Sequence, residues 1–124
     1  MKKTDANTTI QELKALAQKL RDERDWAQFH RPKELAIDMS IEAGELLELF
    51  LWKTDDVILD TLKKNPKYRQ DIADELADVV HAALAFATVT EIDLATAVRE
   101  KIKKTADKYP IEKAHGKAKK YTEL

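Results

Sequence analysis

At 124 residues the chain suits one domain, and two glycines and three prolines set against 44% hydrophobic and 36% charged residues make it globular and helix-rich. Its net charge of −1, from 22 basic and 23 acidic residues, excludes the basic footprint of a protein that coats a nucleic-acid polymer. There is no cysteine, which excludes disulfides, thiolate zinc sites and cysteine nucleophiles. No apolar run reaches the length of a membrane span, and the polar start Met1-Lys2-Lys3-Thr4-Asp5 does not resemble a signal peptide, so a cytoplasmic location is the default expectation.

Residues 1–7 are polar and expected to be loose. Thr9-Ile10-Gln11-Glu12 has the pattern of a capping box, in which hydroxyl and carboxylate each satisfy a free backbone N–H. Ile10, Leu13, Leu16, Ala17 and Leu20 recur at helical spacing and predict a first helix over about 9–25. Trp26 to Arg31 reads as a connection, and Pro32 suits the first turn of a second helix running to about Trp52. Thr54-Asp55-Asp56 predicts the start of a short helix near 55–64, which Asn65-Pro66 stops. A long apolar-rich helix is expected over about 67–89, and a last one over about 93–107, ended by Pro110. The tail from Ile111 to Leu124 shows no period and is expected to be loop or interface. No repeat, linker or strand alternation appears. The expected architecture is an all-α antiparallel four-helix bundle with one short extra helix, forming a single domain over 1–124.

Two groups of acids do not fit an ordinary surface. In Glu42-Ala43-Gly44-Glu45-Leu46-Leu47-Glu48, helical geometry places Glu42 and Glu48 about 60° to either side of Glu45. Ile41 and Leu49 project within roughly 40° of Glu45, and the helix is apolar nearly all round, which signals burial. Glu75 and Asp78 repeat the pattern on the long helix, with Asp71 on the same side and Val79, Ala82 and Phe86 further along that face. Buried carboxylates are costly unless they are paired or hold a metal. Two such helices packed antiparallel can gather four carboxylates, and hard oxygen ligands favour Mg²⁺ or Mn²⁺. Spacing alone leaves a metal site and a structural polar network both open.

The motifs then resemble a known family. Glu-x-x-Glu followed, after 29 intervening residues, by Glu-x-x-Asp is similar to the MazG-like, all-α nucleoside triphosphate pyrophosphohydrolases, and most of all to the small dCTP pyrophosphatase branch with its bacterial relatives. Arg24-Asp25-Trp26-Ala27-Gln28-Phe29-His30-Arg31-Pro32-Lys33 resembles the segment before the first acidic motif. Glu42 to Lys53 resembles the motif itself, and Asp74-Glu75-Leu76-Ala77-Asp78-Val79 the second one. Lys108-Tyr109-Pro110 and the ending Lys119 to Leu124 resemble the branch too. The resemblance implies hydrolysis of a nucleoside triphosphate to monophosphate and pyrophosphate. It implies metal ligation by Glu42, Glu45, Glu75 and Asp78, with Glu45 or Glu48 orienting or deprotonating water, Glu45 being favoured. It brings forward Lys33 and Lys53 as phosphate contacts, Trp26 and Trp52 as base contacts, and His30 as either. It also implies a dimer or a tetramer made of two dimers, with sites near subunit interfaces.

Three positions depart from the branch's pattern. Ala82 stands where relatives commonly carry a tyrosine, Thr105 where they carry an asparagine, and Ala17 where a polar or aromatic residue is frequent. A larger pocket at Ala82 that admits a purine or a modified base is one expectation. Two rival readings compete with the family. A di-iron carboxylate bundle needs the acid-x-x-His element twice. Asp78 and His81 supply it once, neither His30 nor His115 supplies the second, and His81 points about 120° from Glu75. A non-catalytic helical assembly module would use the carboxylates as a polar network at a helix interface.

Overall fold

Helix starts lie where the sequence offers caps. In a computed structural model describing residues 1–124, α1 (Ile10–Asp22) begins with Thr9, whose hydroxyl accepts from the Glu12 N–H at 3.1 Å while Glu12 accepts from the Thr9 N–H at 2.6 Å. Pro32 opens α2 (Pro32–Glu48), and Thr54 caps α3 (Asp55–Lys64) through the Val57 N–H. Asn65 ends α3 and caps α4 (Pro66–Val89), its side chain accepting from the Tyr68 N–H at 3.1 Å. Asp93 caps α5 (Leu94–Lys108) in the same way. A short α6 (Ile111–Ala114) and a 3₁₀ turn (Tyr121–Glu123) complete the chain, and there is no strand. This is the all-helical architecture expected, consistent with a four-helix bundle carrying one short extra helix.

The chain divides into two compact units, Met1–Glu91 and Ile92–Leu124. In the first, α2 and α4 form the principal packed pair, with α1 and α3 each packing on α4. The α2–α4 pair is antiparallel: the Tyr68 hydroxyl donates to the Leu49 carbonyl at 2.8 Å, and Glu42 lies beside Glu75 and Asp78. Buried Ala82, Ala85 and Ala87 on α4, with Leu35 on α2, let the helices approach closely.

Two helices end earlier than the apolar period implies. α1 stops at Asp22 rather than near 25, because Trp26 N–H reaches the Arg21 carbonyl at 2.9 Å and Asp25 N–H the Asp22 carbonyl at 3.2 Å. With Asp25 at φ 54°, this is a Schellman-type closure. α2 stops at Glu48 rather than at Trp52. Leu49, Phe50 and Leu51 bond to carbonyls three residues back, tightening the turn, and Trp52 then takes φ 62°. The Leu49 carbonyl, freed at this end, accepts from Tyr68 and from Lys53 Nζ at 3.2 Å.

The near all-round apolar character of α2 also resolves differently from simple burial. Ile37, Ile41, Leu47 and Leu51 form a stripe that is more than half exposed. Gly44 sits in the middle of it, and a Cβ added there would meet nothing within 4 Å.

In the second unit the tail is more ordered than its lack of period implies. Tyr121 packs edge-on to Tyr109 with ring centroids 6.0 Å apart, and Lys108 Nζ lies 4.9 Å from the Tyr121 ring centre. These contacts supply what local periodicity lacks. No single helix is long and apolar enough to cross a membrane.

Candidate metal centre

One helical turn separates Glu42 from Glu45 on α2, and another separates Glu75 from Asp78 on α4. The antiparallel packing brings these turns together. Glu42, Glu75 and Asp78 each offer a carboxylate oxygen, and the three oxygens lie within 4.8 Å of one another. Glu45 is near enough for its charge to act on both Glu42 and Glu75. Glu48 is exposed one turn further along α2.

Like charges crowd this cluster. Burial, then the adjoining Glu45 carboxyl and the charges of Asp78 and Asp38, push the Glu42 carboxyl up to about 7. Glu75 is raised as well, by burial first and then by Glu45, Asp78 and Asp74. Glu42 Oε2 and Glu75 Oε2 are buried with no hydrogen-bond donor. A set of oxygen donors that repel one another and carry unused, buried lone pairs fits a hard divalent cation. No histidine joins the cluster, so the di-iron pattern is not formed there.

The predicted substrate contacts fall into two separate groups. Before α2, the Trp26 and His30 rings lie 6.2 Å apart, and the Arg24 guanidinium is 5.8 Å from the Trp26 ring centre. Lys33 follows in the first turn of α2, largely exposed and 3.6 Å from Glu34. After α2, Trp52 is 94% exposed, and Lys53 lies 5.4 Å from the Tyr68 ring centre. The 17 residues of α2, about 26 Å of helix, lie between the two groups in the chain.

Two residues near this site escaped the sequence reading. Arg21 is the one buried charged side chain, at 3% exposure, and its Nε has no partner. Asp38 lies one turn before Glu42, and its charge acts on both Glu42 and His30. The signal for Arg21 was its place four residues after Ala17, on the apolar face of α1. The His30 imidazole is held below its ordinary pKa by burial first, then by Arg21, with His81 adding and Asp38 opposing.

Residues 37–124, most of the chain and all four converging carboxylates, match the MazG-like family. The chain belongs to the MazG-like family. It is 37% identical to dCTP pyrophosphatase 1 of Rattus norvegicus and of Homo sapiens, over 116 residues that cover 94% of this chain and 68% of each relative. A pyrophosphatase from Archaeoglobus fulgidus, known from its crystal structure, is 34% identical with a TM-score of 0.75, covering 88% of this chain and 99% of that one. Of the three positions singled out for the nucleoside pocket of this MazG-like chain, Ala17 and Ala82 are buried and Thr105 is exposed on α5. Ala82 itself is 3% exposed.

Proposed function

We propose that this MazG-like chain acts as a single domain that hydrolyses deoxynucleoside triphosphates, dCTP or a related or modified nucleotide, to monophosphate and pyrophosphate, and so clears surplus or non-standard nucleotides. The observation that carries this is the convergence of Glu42, Glu45, Glu75 and Asp78 with two buried, undonated oxygens, in a chain similar to dCTP pyrophosphatases over nearly all its length. The family match runs across both compact units, which supports treating them as one functional domain.

Glu42, Glu75 and Asp78, with Glu45, would hold Mg²⁺, or Mn²⁺ in its place. Such an ion neutralises phosphate charge and polarises the phosphorus–oxygen bonds. Glu45 is the group we assign to orienting water and taking its proton as the α–β phosphate linkage breaks and pyrophosphate leaves. Glu48, exposed one turn away, is the second candidate base. Lys33 and Lys53 would meet phosphate charge, while His30 would contact phosphate or base. Trp26 and Trp52 present exposed ring surface suited to stacking on a base, an interaction worth about 1–3 kcal/mol.

The decisive experiment is a panel of dCTP, dATP and dUTP with Mg²⁺, scored for pyrophosphate and monophosphate. Release from at least one is expected. No release from any nucleotide would favour a non-catalytic assembly module, and strict dCTP selectivity would sink the purine expectation.

A homo-oligomer, a dimer or a dimer of dimers, completes this reading. The exposed Ile37–Ile41–Leu47–Leu51 stripe is apolar surface suited to a second copy. A glycine at its centre costs a helix about 1 kcal/mol and is useful where two backbones approach. If both tryptophan groups serve one nucleotide, a second copy must supply one of them, given the length of α2. Ile41→Glu is expected to shift the protein to monomer in light scattering; an unchanged mass would exclude this face as the interface.

A further inference from the structure

We propose that Tyr68 is a positioning residue: its hydroxyl captures the Leu49 carbonyl and so holds the left-handed turn that presents Trp52 to the nucleotide. The inference rests on the pyrophosphohydrolase reading, with Trp52 as a base contact, and adds a residue of α4 that acts through that ring.

The default course of the chain at the end of α2 is more helix. The apolar period runs on to Trp52, and in a continued helix the Leu49 carbonyl would accept from the Lys53 N–H. Instead the Lys53 N–H turns to the Phe50 carbonyl at 3.2 Å. The Leu49 carbonyl accepts from the Tyr68 hydroxyl at 2.8 Å and from Lys53 Nζ at 3.2 Å. Two side-chain donors thus take the place of one backbone donor. Trp52 then stands at φ 62°, a region that bulky side chains rarely enter. Its ring is so exposed that it makes almost no packing contact, and the backbone alone decides where it points.

Tyr68 is itself firmly held. It is buried in the first turn of α4, where the Asn65 side chain accepts from its N–H at 3.1 Å and Pro66 opens the helix. Lys53 Nζ lies 5.4 Å from its ring centre, so phenol, ammonium and carbonyl form one small cluster. An ammonium has three N–H donors, which leaves two on Lys53 for phosphate. A strained residue persists only where its surroundings over-determine it, and such residues gather at ligand-binding sites. Glu45 and Glu42 lie one and two helical turns back along α2, so the turn at Leu49 can change without moving the carboxylates. Loss of the Tyr68 hydroxyl therefore acts on nucleotide binding rather than on the chemical step.

The test is a double-mutant cycle of Tyr68→Phe and Trp52→Ala, run with whichever of dCTP, dATP and dUTP is turned over best and with circular dichroism to check the fold of each variant. The HN–Hα coupling of Trp52, measured by NMR without nucleotide, separates left-handed from helical backbone. Tyr68→Phe is expected to move that coupling toward the helical value. It should raise KM about three- to fivefold, the factor one neutral hydrogen bond is worth when the competing turn is nearly as stable. It should keep kcat within about twofold, as removal of a binding interaction implies. In the Trp52→Ala background it should raise KM no further. Calorimetric titration with pyrophosphate in Mg²⁺ should not change, because pyrophosphate carries no base. Lys53→Met removes the second donor to the same carbonyl; judged by the coupling alone, it carries the comparison if Tyr68→Phe fails to fold. An unchanged coupling overturns the proposal. So does an equal rise in KM without the Trp52 ring, or an equal loss of pyrophosphate binding, since Tyr68 would then support the site as a whole. A wild type that turns over no nucleotide would instead refute the pyrophosphohydrolase reading, and the coupling would still decide whether the hydroxyl sets the turn.

Discussion

Glu75→Gln is expected to lower kcat/KM by about a thousandfold while raising the melting temperature of the metal-free protein. The two effects share one cause. The Glu75 carboxylate is destabilised by burial and by the charges of Glu45, Asp78 and Asp74, and its Oε2 has no donor. An amide of the same shape removes one of the repelling charges and can donate to Glu45. The metal-free fold therefore relaxes. The same change deletes a hard anionic ligand from a set in which three oxygens lie within 4.8 Å of one another. Lewis-acid stabilisation is worth several kcal/mol of transition-state energy, and about 4 kcal/mol corresponds to roughly 10³ in rate. Steady-state kinetics and differential scanning fluorimetry, each with and without Mg²⁺, check both halves. Glu45→Gln should behave similarly in rate; full activity in either variant would show that the carboxylates are not the metal site.

Stability should depend on pH in the direction opposite to that of a salt-bridged carboxylate. Glu42 titrates at about 7 in the fold and near 4.5 when exposed. Between those values the folded chain still holds a proton that the unfolded chain has released. The folded state thus binds more protons, and stability falls as pH rises from about 4.5 to 7. Glu75, also raised, acts in the same direction. A divalent cation binds the deprotonated form, so its affinity should climb through this window and level off above 7 as proton release ceases. At a metal concentration of about 100 Kd the linkage is worth about 2.7 kcal/mol, or roughly 10 °C in Tm for a domain of this size. Melting curves from pH 5 to pH 8 with EDTA and with excess Mg²⁺ read this directly. A flat or rising metal-free Tm would mean that the acids are solvated, and Glu42→Gln should flatten the slope.

Much of this was legible in the residues because the relevant physics is local. Thr9 with Glu12, and Asn65 with Pro66, state helix starts within a few residues, and the structure places them there. The carboxylate convergence was legible because three-residue spacing on two helices, flanked by isoleucine, leucine and valine, has few cheap explanations. What escaped depends on distant partners. α2 ends at Glu48 because Tyr68 and Lys53 stabilise a tightened turn at Leu49, and no window of sequence around 49 announces Tyr68. The tail is ordered by Tyr109 and Lys108 acting on Tyr121, again a pairing invisible to periodicity. Arg21 was passed over because arginines are read as solvated, and only burial distinguishes one that is not.

The span of α2 has a consequence for mixtures of damaged subunits. If a second copy supplies one of the two groups that flank α2, Trp26 with His30 before it or Trp52 after it, a nucleotide that meets both draws them from different polypeptides. A subunit lacking its Trp52 ring would then still offer an intact carboxylate cluster, and a subunit lacking Glu75 would still lend its Trp52 to a neighbour. Neither damaged form would work alone. Co-assembled, they would regenerate a fraction of sound sites from two defective chains, so two inactive alleles would complement each other.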